Sequence, residues 1–428
     1  MKSSECGTVL LPNTQETSEG ILVFPKQGGG LLLEDRLQGD RFLCMKIMVL
    51  ETHSMAFELR VFDMDGQKRV TVRFGIMPQY PTAVSLDMQW LDGHVLYPGH
   101  GVGQLKTVCH GSRIHRADIG RAELVSLPCH HSVHVHLEGP FMQPSPMEPL
   151  SMPSGFLVDA MGQYIPKKWE GKTENQEEMV ARLREDAGKE KTWPFADRNR
   201  WGGWRDLHLG EGTGYFQALQ RDGRWFLADP DGCAFFSLGA DCVVARCDAR
   251  LDGMEGLVEG LDQEREDPSF GDVWREADRF YGEETRKARL YSFERANLRR
   301  AFGKDWKKAW QDLSIRLLMR LGMNTLGNWS DPELYPLFAH VMMLEQFPET
   351  THCIFRDFPD VLSPEYAQNA QTCAAFLRPR REDHGMIGYF LRNEPSWAFV
   401  DGLIVADEVL RDPEDTYCRR GLIDFLKS

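Results

Sequence analysis

The chain has 428 residues, a formal net charge of -14, 42% hydrophobic residues and 27% charged residues. This composition is ordinary for a soluble globular protein of two or three domains. The acidic balance argues against nucleic acid as a partner, because phosphate binding requires clustered Lys and Arg. No stretch approaches the roughly 18 uninterrupted apolar residues of a membrane-spanning helix, so we expect no membrane partner.

Two further expectations concern location and cofactors. The polar residues 1–7 lack the apolar core of an export signal, which predicts a cytoplasmic protein, with secretion as the alternative. The ten cysteines are scattered and predict no disulfide framework. The histidine-rich segment 129–136 has no second, separated pair of ligands, which favours an exposed sheet face over a zinc site. We therefore predict no metal and no cofactor, and the oligomeric state stays open.

The first 145 residues are predicted to form an all-β domain. From about residue 20 to 145, short segments alternate apolar and polar residues and are separated by turns. The runs 57–62 and 69–74 flank Asp65-Gly66, a dipeptide typical of a hairpin turn. We expect a β-sandwich of jelly-roll type over residues 1–145.

A stretch rich in Pro, Met and Ser, 140–149, interrupts this periodicity and indicates a domain boundary. Residues 146–223 are predicted to be a linker that wraps the surface and contains one charged helix near 176–191. A hairpin follows, with its turn at 229–232. Its return strand, 234–239, can be the first strand of a third domain, 224–428.

Strands alternate with helices in the third domain, which predicts a parallel sheet. A helical pattern covers 296–322, and a strand with a polar end follows at 323–331. Another strand lies between 341 and 355, a helix near 364–376, and a last strand ends at Glu394. Four strand-helix units correspond to the first half of a (β/α)8 barrel, because a complete barrel takes about 250 residues.

Polar or aromatic side chains follow each of these strands, and (β/α)8 barrels build their sites at such strand ends. The uncharged run 387–391 is typical of a strand buried on both faces, and Pro395 ends it where the carboxylate of Glu394 emerges. Asp331 and Ser363 each precede a proline and also fit helix N-caps. The candidate residues at the strand ends are Asp241, Asn328, Trp329, Ser330, Asp331, Asp357, Asp360, Asn393 and Glu394.

Four segments together resemble the β-agarase-like glycoside hydrolases, which have a (β/α)8 barrel. The matching segments are 229–242, 324–332, 358–361 and 388–397, and their order and spacing agree over about residues 155–428. The N-terminal region more weakly resembles the carbohydrate-binding-like domain that often precedes such barrels. The resemblance implies retaining hydrolysis of a β-linked galactan, with Glu394 as general acid and then base and Asn393 holding the sugar 2-hydroxyl.

Further substrate-binding candidates are Asp241, Asn328, Trp329 and Trp397. The two tryptophans offer flat apolar faces to a pyranose ring, although packing at the barrel mouth is an equal alternative. Partial burial of Glu394 beside aromatic residues would keep the acid protonated near neutral pH. Agarose, porphyran and simpler β-galactosides all stay open as substrates, as do endo and exo cleavage.

Retaining hydrolysis needs a second carboxylate about 5 Å from the first. The resemblance implies a nucleophilic glutamate at the end of a seventh strand, whereas the chain ends soon after Glu394. Glu408 and Glu414 lie on predicted helices or in a loop and are poor candidates. We therefore expect the chain to be the N-terminal part of a longer hydrolase whose nucleophile lies beyond Ser428.

A non-catalytic alternative also fits the sequence, namely a carbohydrate-binding protein with a degenerate half barrel. Both interpretations share one physical consequence. A half barrel leaves a sheet edge open and an apolar surface uncovered, so we expect the isolated chain to self-associate.

Overall fold

The computed structural model describes residues 4–5, 7–33, 37, 39–151, 154–246, 248–277, 288–344 and 347–428. The regular structure described in the N-terminal region consists of strands, apart from two short 3-10 helices, Met88–Asp92 and Arg116–Asp118. In chain order the strands are β1 (Ser4–Glu5), β2 (Thr8–Leu10), β3 (Gln15–Glu16), β4 (Ile21–Phe24), β5 (Gly30–Leu33), β6 (Phe42–Val49), β7 (Met55–Asp63), β8 (Arg69–Ile76), β9 (Thr82–Asp87), β10 (Val108–Gly111), β11 (Ile119–Ser126) and β12 (Val133–Gln143).

These strands form two antiparallel sheets in the described part of the chain. One sheet has the order β3-β4-β12-β6-β9, with β1 also paired to β12, and the other has the order β10-β8-β7-β11-β5-β2. Alternation places Phe57 and Leu59 of β7 in the same buried cluster as Leu43 and Ile47 of β6. The region is therefore all-β, as expected, and its two sheets share one core.

The middle of the chain contains more regular structure than the predicted linker. Helix α1 (Gln176–Gly188) lies where the charged helix was expected. Four strands then form an antiparallel sheet of order β13-β16-β15-β14. They are β13 (Trp204–His208), β14 (Gln217–Arg221), β15 (Arg224–Ala228) and β16 (Cys233–Phe235), and the next strand of the chain is β17 (Gly239–Ala240).

The hairpin at 229–232 is confirmed, but the prediction for its return strand is wrong. Asp229 closes the turn, because its Oδ1 accepts hydrogen bonds from the backbone N–H of Asp231 and Cys233, both at 3.0 Å. The segment then divides: β16 stays in the antiparallel sheet, and β17 alone begins the parallel sheet. The apolar pattern indicates one strand over 234–239. The structure has two, because β16 and β17 hydrogen-bond to strands of different sheets.

The next segment adds a small sheet and a broken helix that the sequence pattern did not reveal. Strands β18 (Asp248–Arg250), β19 (Trp274–Ala277) and β20 (Ala288–Ser292) pair antiparallel in the order β18-β20-β19, and helix α2 (Leu261–Glu266) lies between the first two. The predicted helix 296–322 is two helices, α3 (Phe293–Phe302) and α4 (Trp306–Arg320). Gly303, with a φ of 58°, separates them.

The C-terminal region completes the parallel sheet. Its elements are β21 (Thr325–Leu326), β22 (His340–Met343), β23 (Cys353–Phe355), β24 (Phe358–Pro359), α5 (Pro364–Leu377), β25 (Met386–Phe390), α6 (Val405–Arg411) and α7 (Tyr417–Lys427). Strands β17, β21, β22 and β25 pair in parallel, in chain order. Leu326 and Met342 pack against Trp310 and Leu318 of α4, so one face of this sheet is covered by helices.

Two details of the parallel sheet differ from the expectation. The third strand is β22, and residues 353–359 form a separate antiparallel hairpin, so Asp357 and Asp360 do not follow a parallel strand. The last strand is not buried on both faces: Phe390 is 49% and Leu391 63% exposed. The sheet ends at β25, and no described strand pairs with its outer edge. Every helix in the described ranges is too short or too polar to span a bilayer.

Candidate active site

The loop after β25 presents Asn393 and Glu394 to solvent. Both side chains are exposed, so the partial burial expected for Glu394 is not observed. Glu394 has a φ of 43°, in the left-handed region that residues other than glycine rarely adopt. Such strain persists only where surrounding contacts enforce it, and it is concentrated at functional sites.

Asp357 supplies contacts that hold this loop. Its Oδ2 accepts a hydrogen bond from the backbone N–H of Ser396 at 3.0 Å, and its Oδ1 accepts from the Ser396 hydroxyl at 2.6 Å and the Trp397 N–H at 3.0 Å. The guanidinium of Arg392 forms an ion pair with the same carboxylate. Glu394 therefore lies within a segment that Asp357 binds on both sides.

Burial alone would raise the pKa of Asp357, but the hydrogen bonds from Ser396 and Trp397 and the charge of Arg392 lower it below the ordinary value. A carboxyl group with a lowered pKa stays charged at neutral pH. Its contribution to stability is fully present above the ordinary pKa of aspartate and is lost as the pH falls through the lowered value.

A second group of predicted residues gathers at the ends of β17 and β21. The backbone N–H of Cys242 donates to the carbonyl of Asn328 at 2.8 Å, which aligns the two strand ends. The exposed carboxylate of Asp241 lies directly over Gly327, where an added Cβ would come within 1.9 Å of its Oδ1. A glycine at 327 is thus what allows Asp241 to occupy this position.

Asn328 and Trp329 differ sharply in exposure. Asn328 is 4% exposed, and its Oδ1 is a buried acceptor without a hydrogen-bond partner among the described residues. Trp329 is 43% exposed, has a φ of 59° and lines a cavity of about 370 Å³ together with Arg246 and Arg295. An exposed indole at a strand end is suited to stacking on a sugar ring, and a buried unpaired amide oxygen calls for a ligand or a water.

The structure therefore brings the predicted residues together as two groups. Asp241, Asn328 and Trp329 form one, and β22 separates them in the sheet from Asn393, Glu394 and Trp397. Trp397 packs edge-on against Phe358, with ring centroids 5.3 Å apart, which is the packing role left open for it.

Three of the candidate carboxyl and hydroxyl groups accept hydrogen bonds at the start of helices. Asp331 accepts from the N–H of Glu333 at 3.0 Å, and Ser363 accepts from Tyr366 at 3.0 Å, so both predicted caps are confirmed. Asp360, expected at a strand end, instead accepts hydrogen bonds from the N–H groups of Tyr417 and Cys418 at the start of α7, at 2.8 and 2.7 Å, and so supplements the N-cap residue of that helix, Thr416.

Glu408 and Glu414 are engaged elsewhere. Glu408 forms an ion pair with Arg113 of the N-terminal region, and Glu414 lies 3.6 Å from the ring of His352. Across the described ranges, no cluster of three or more His, Cys, Asp or Glu residues could hold a metal ion.

Arg356 is a residue near the site that the sequence pattern did not single out. Its Nη1 donates to the carbonyl of Ser396 at 2.5 Å, and its Nε donates to the carbonyl of Gly93 at 2.7 Å. Gly93 lies in the N-terminal region, far away in sequence, and no local motif around Arg356 signals the contact.

An all-β region precedes parallel strands whose ends carry an exposed amide, a carboxylate and an indole, and parallel barrels place their catalytic groups at such strand ends. Comparisons with known proteins find that the chain is similar to β-agarases. β-Agarase B and β-agarase A of Vibrio sp. (strain JT0107) are 28% and 27% identical to it over 271 residues. No family model matches the chain.

Three solved structures share its fold. An exo-β-agarase has a TM-score of 0.58 and 18% identity, and the match covers 100% of this chain and 69% of that one. PfGH50B gives 0.54 at 18% identity, covering 92% and 64% of the two chains, and the agarase AgWH50C gives 0.53 at 21%, covering 92% and 62%. The two Vibrio matches cover 56% and 57% of this chain but only 28% and 26% of the relatives.

Proposed function

We propose that the protein acts as a glycoside hydrolase on β-galactosidic bonds of agarose or a related galactan, by a retaining mechanism with two carboxylates. The observation that carries this proposal is the exposed Asn393-Glu394 pair, which follows parallel strand β25 after Leu391 and Arg392 and lies in a loop bound by Asp357. The similarity to β-agarases supports the choice of substrate class.

In this mechanism Glu394 protonates the leaving glycosidic oxygen and later removes a proton from the attacking water. Asn393 holds the 2-hydroxyl of the sugar, Trp329 stacks on a pyranose face, and Asp241 and Asn328 hydrogen-bond to hydroxyl groups. The nucleophilic carboxylate belongs, by resemblance, to a seventh strand, and we place it outside the residues of this chain.

The architecture proposed with this function is a jelly-roll, carbohydrate-binding-like domain followed by the first half of a (β/α)8 barrel. The shared core of the two N-terminal sheets supports the first part. The parallel pairing of β17, β21, β22 and β25 in chain order supports the second. The domain boundaries at 145 and 223 are part of the same proposal.

The variant Glu394→Gln tests the acid/base role, because it keeps the size of the side chain and removes the acidic proton. In a form of the protein that includes the proposed nucleophile, we expect release of sugars from agarose to fall by about 10²–10⁴-fold, the usual contribution of a general acid or base. The variant Glu190→Gln, at an exposed position in the middle segment, is the matched control and should keep full activity. Unchanged release by Glu394→Gln would remove the assignment.

A non-catalytic carbohydrate-binding protein is the second candidate. It is favoured by the exposed Trp329 beside the unpaired oxygen of Asn328, since this pair can bind sugar without any nucleophile. On this alternative the protein is retained on an agarose column but releases no sugar even in a form that includes the proposed nucleophile, and Glu394→Gln leaves retention unchanged. Release of reducing sugar by the protein would exclude it.

A further inference from the structure

Arg356 and Asp357 form the turn between β23 and β24, and together they bind Ser396 at every polar group it has. Asp357 accepts from its N–H and its hydroxyl, and Arg356 donates to its carbonyl at 2.5 Å. Ser396 follows directly on Glu394-Pro395. The N–H, hydroxyl and carbonyl of Ser396 are thus all hydrogen-bonded, and this restrains the backbone of Glu394, two residues before it.

The same guanidinium reaches the N-terminal region. Arg356 donates from Nε to the carbonyl of Gly93 at 2.7 Å, and a second nitrogen of the group, Nη2, donates to the same oxygen. Gly93 ends a short helix, Met88–Asp92, and has a φ of 83°, so its carbonyl direction is set by a left-handed turn. One planar side chain therefore connects a loop of the all-β region to the loop of the candidate acid.

Two neighbouring contacts hold the same two regions together. The N–H of Asp401 donates to the carbonyl of Gly111 at 3.1 Å, and Arg113 forms an ion pair with Glu408, whose side chain is 11% exposed. These contacts orient the two regions, but they do not touch Ser396. Arg356 is the described side chain that contacts both Gly93 and Ser396.

We propose that Arg356 is a positioning residue, which makes the placement of Glu394 depend on the N-terminal all-β region. The catalytic role in this inference rests on the proposed function. The contact of Arg356 with both Gly93 and Ser396, called the tether below, does not. Arg356 has a φ of 51° and Glu394 a φ of 43°. Two strained residues at one site indicate that this geometry is enforced by its contacts rather than by local preference. The N-terminal region then has a role in catalysis in addition to any binding of sugar.

An arginine suits this task better than a lysine. Its rigid fork donates several hydrogen bonds in one plane, so it can serve carbonyl groups of two separate loops at once. An ammonium group at the end of a flexible chain can reach one of the two carbonyls but does not fix their separation. Arg356→Lys should therefore restore only part of the function.

The test compares Arg356→Gly, Arg356→Lys and Glu408→Gln with the unaltered full chain. Glycine removes the tether while accepting the positive φ, so the turn itself should fold. We expect faster amide hydrogen exchange at Ser396 and Trp397 in Arg356→Gly and an intermediate rate in Arg356→Lys. Glu408→Gln weakens another contact between the two regions, the ion pair with Arg113, and should leave exchange at Ser396 and Trp397 unchanged.

Hydrolysis gives the second measurement. In a form of the protein that includes the proposed nucleophile, we expect kcat of Arg356→Gly to fall about 100-fold, as for a misplacement of roughly 1 Å, with KM little changed and kcat partly restored in Arg356→Lys. If that form releases no sugar with the native residue at 356, the proposed function fails, and hydrogen exchange alone decides whether the tether exists. Unchanged exchange at Ser396 and Trp397 in Arg356→Gly, or equal changes in Glu408→Gln, would overturn the inference.

Discussion

At the scale of single residues, the absence of a side chain at position 327 matters as much as the groups around it. The carboxylate of Asp241 occupies the space that a Cβ on Gly327 would fill, with a separation of only 1.9 Å. The carboxylate of Asp241 can therefore keep this orientation at the shared end of β17 and β21 because residue 327 is a glycine.

Gly327→Ala should displace Asp241 and weaken the binding of agaro-oligosaccharides. Because Asp241 is exposed, the loss of stability should stay within about 1 kcal/mol. Isothermal titration calorimetry and thermal unfolding measure the two effects. Gly388→Ala is the matched control, since an added Cβ on that strand glycine meets no atom within 4 Å. Equal affinities of the two variants would argue against Asp241 as a sugar ligand.

Residue roles that depend on near neighbours in the chain were predictable, and those that depend on distant ones were not. The position of Asp331 and Ser363 before a proline correctly predicted two caps. Asp360 was assigned to a strand end, because nothing nearby shows that its partners are the amides of Tyr417 and Cys418. The contact of Arg356 with Gly93 was missed for the same reason.

At the scale of elements, helix α7 depends on a residue outside itself. Asp360 accepts hydrogen bonds from the first N–H groups of α7 and places a negative charge at the positive end of the helix. Asp360 is only 6% exposed, so water cannot easily replace the N–H groups of α7 as hydrogen-bond donors to its carboxylate.

Asp360→Ala should lower the free energy of unfolding by about 1–3 kcal/mol, because two N–H groups of α7 lose their buried acceptor although the N-cap residue Thr416 remains. Urea denaturation followed by circular dichroism measures the change. Asp415→Ala provides the comparison, since its exposed carboxylate lies 3.8 Å from Arg420 at the surface and should contribute little. A smaller loss for Asp360→Ala than for Asp415→Ala would contradict the role of Asp360 at the start of α7.

The existence of most elements in the second half of the chain was predictable, but several boundaries were not. Hydrophobic spacing indicated one helix over 296–322, because apolar positions continue on both sides of the break at Gly303. The apolar run 234–239 indicated one strand, although its two halves pair with different sheets. Periodicity reports which face of an element is apolar and does not report which partner each residue pairs with.

At the scale of the whole molecule, the open parallel sheet exposes apolar side chains. Phe390 at the end of β25 is 49% exposed, Leu391 is 63% exposed, and Phe236 before β17 is 79% exposed. Large exposed apolar groups beside a free strand edge favour association with another protein surface.

We expect the isolated chain to self-associate through this sheet and Phe390→Asp to shift it toward the monomer. Sedimentation equilibrium over a range of concentrations measures the change. Trp225→Ser is the control, since Trp225 is 71% exposed but lies in the antiparallel sheet of β13 to β16. A concentration-independent monomer for the unaltered chain would contradict the expectation.

The all-β character of the N-terminal region and the parallel character of the C-terminal sheet both followed from the sequence, because local periodicity decides strand type. Sheet order did not follow from it, since pairs such as β6 with β12 join strands far apart in the chain. The contact between the two regions was likewise beyond a local pattern. The cytoplasmic location stays a prediction.

The contacts at Ser396 also affect how readily proteases cleave the loop that carries Glu394. Loops that face solvent are the usual sites of nicking, because a protease must draw several residues of extended chain into its cleft. Asn393 and Glu394 are exposed, yet Asp357 binds the loop on both sides of them, at Arg392, Ser396 and Trp397. A protease that cuts after arginine can bind Arg392 only after its ion pair with Asp357 has opened. The loop is therefore accessible to a sugar but resistant to cleavage at Arg392.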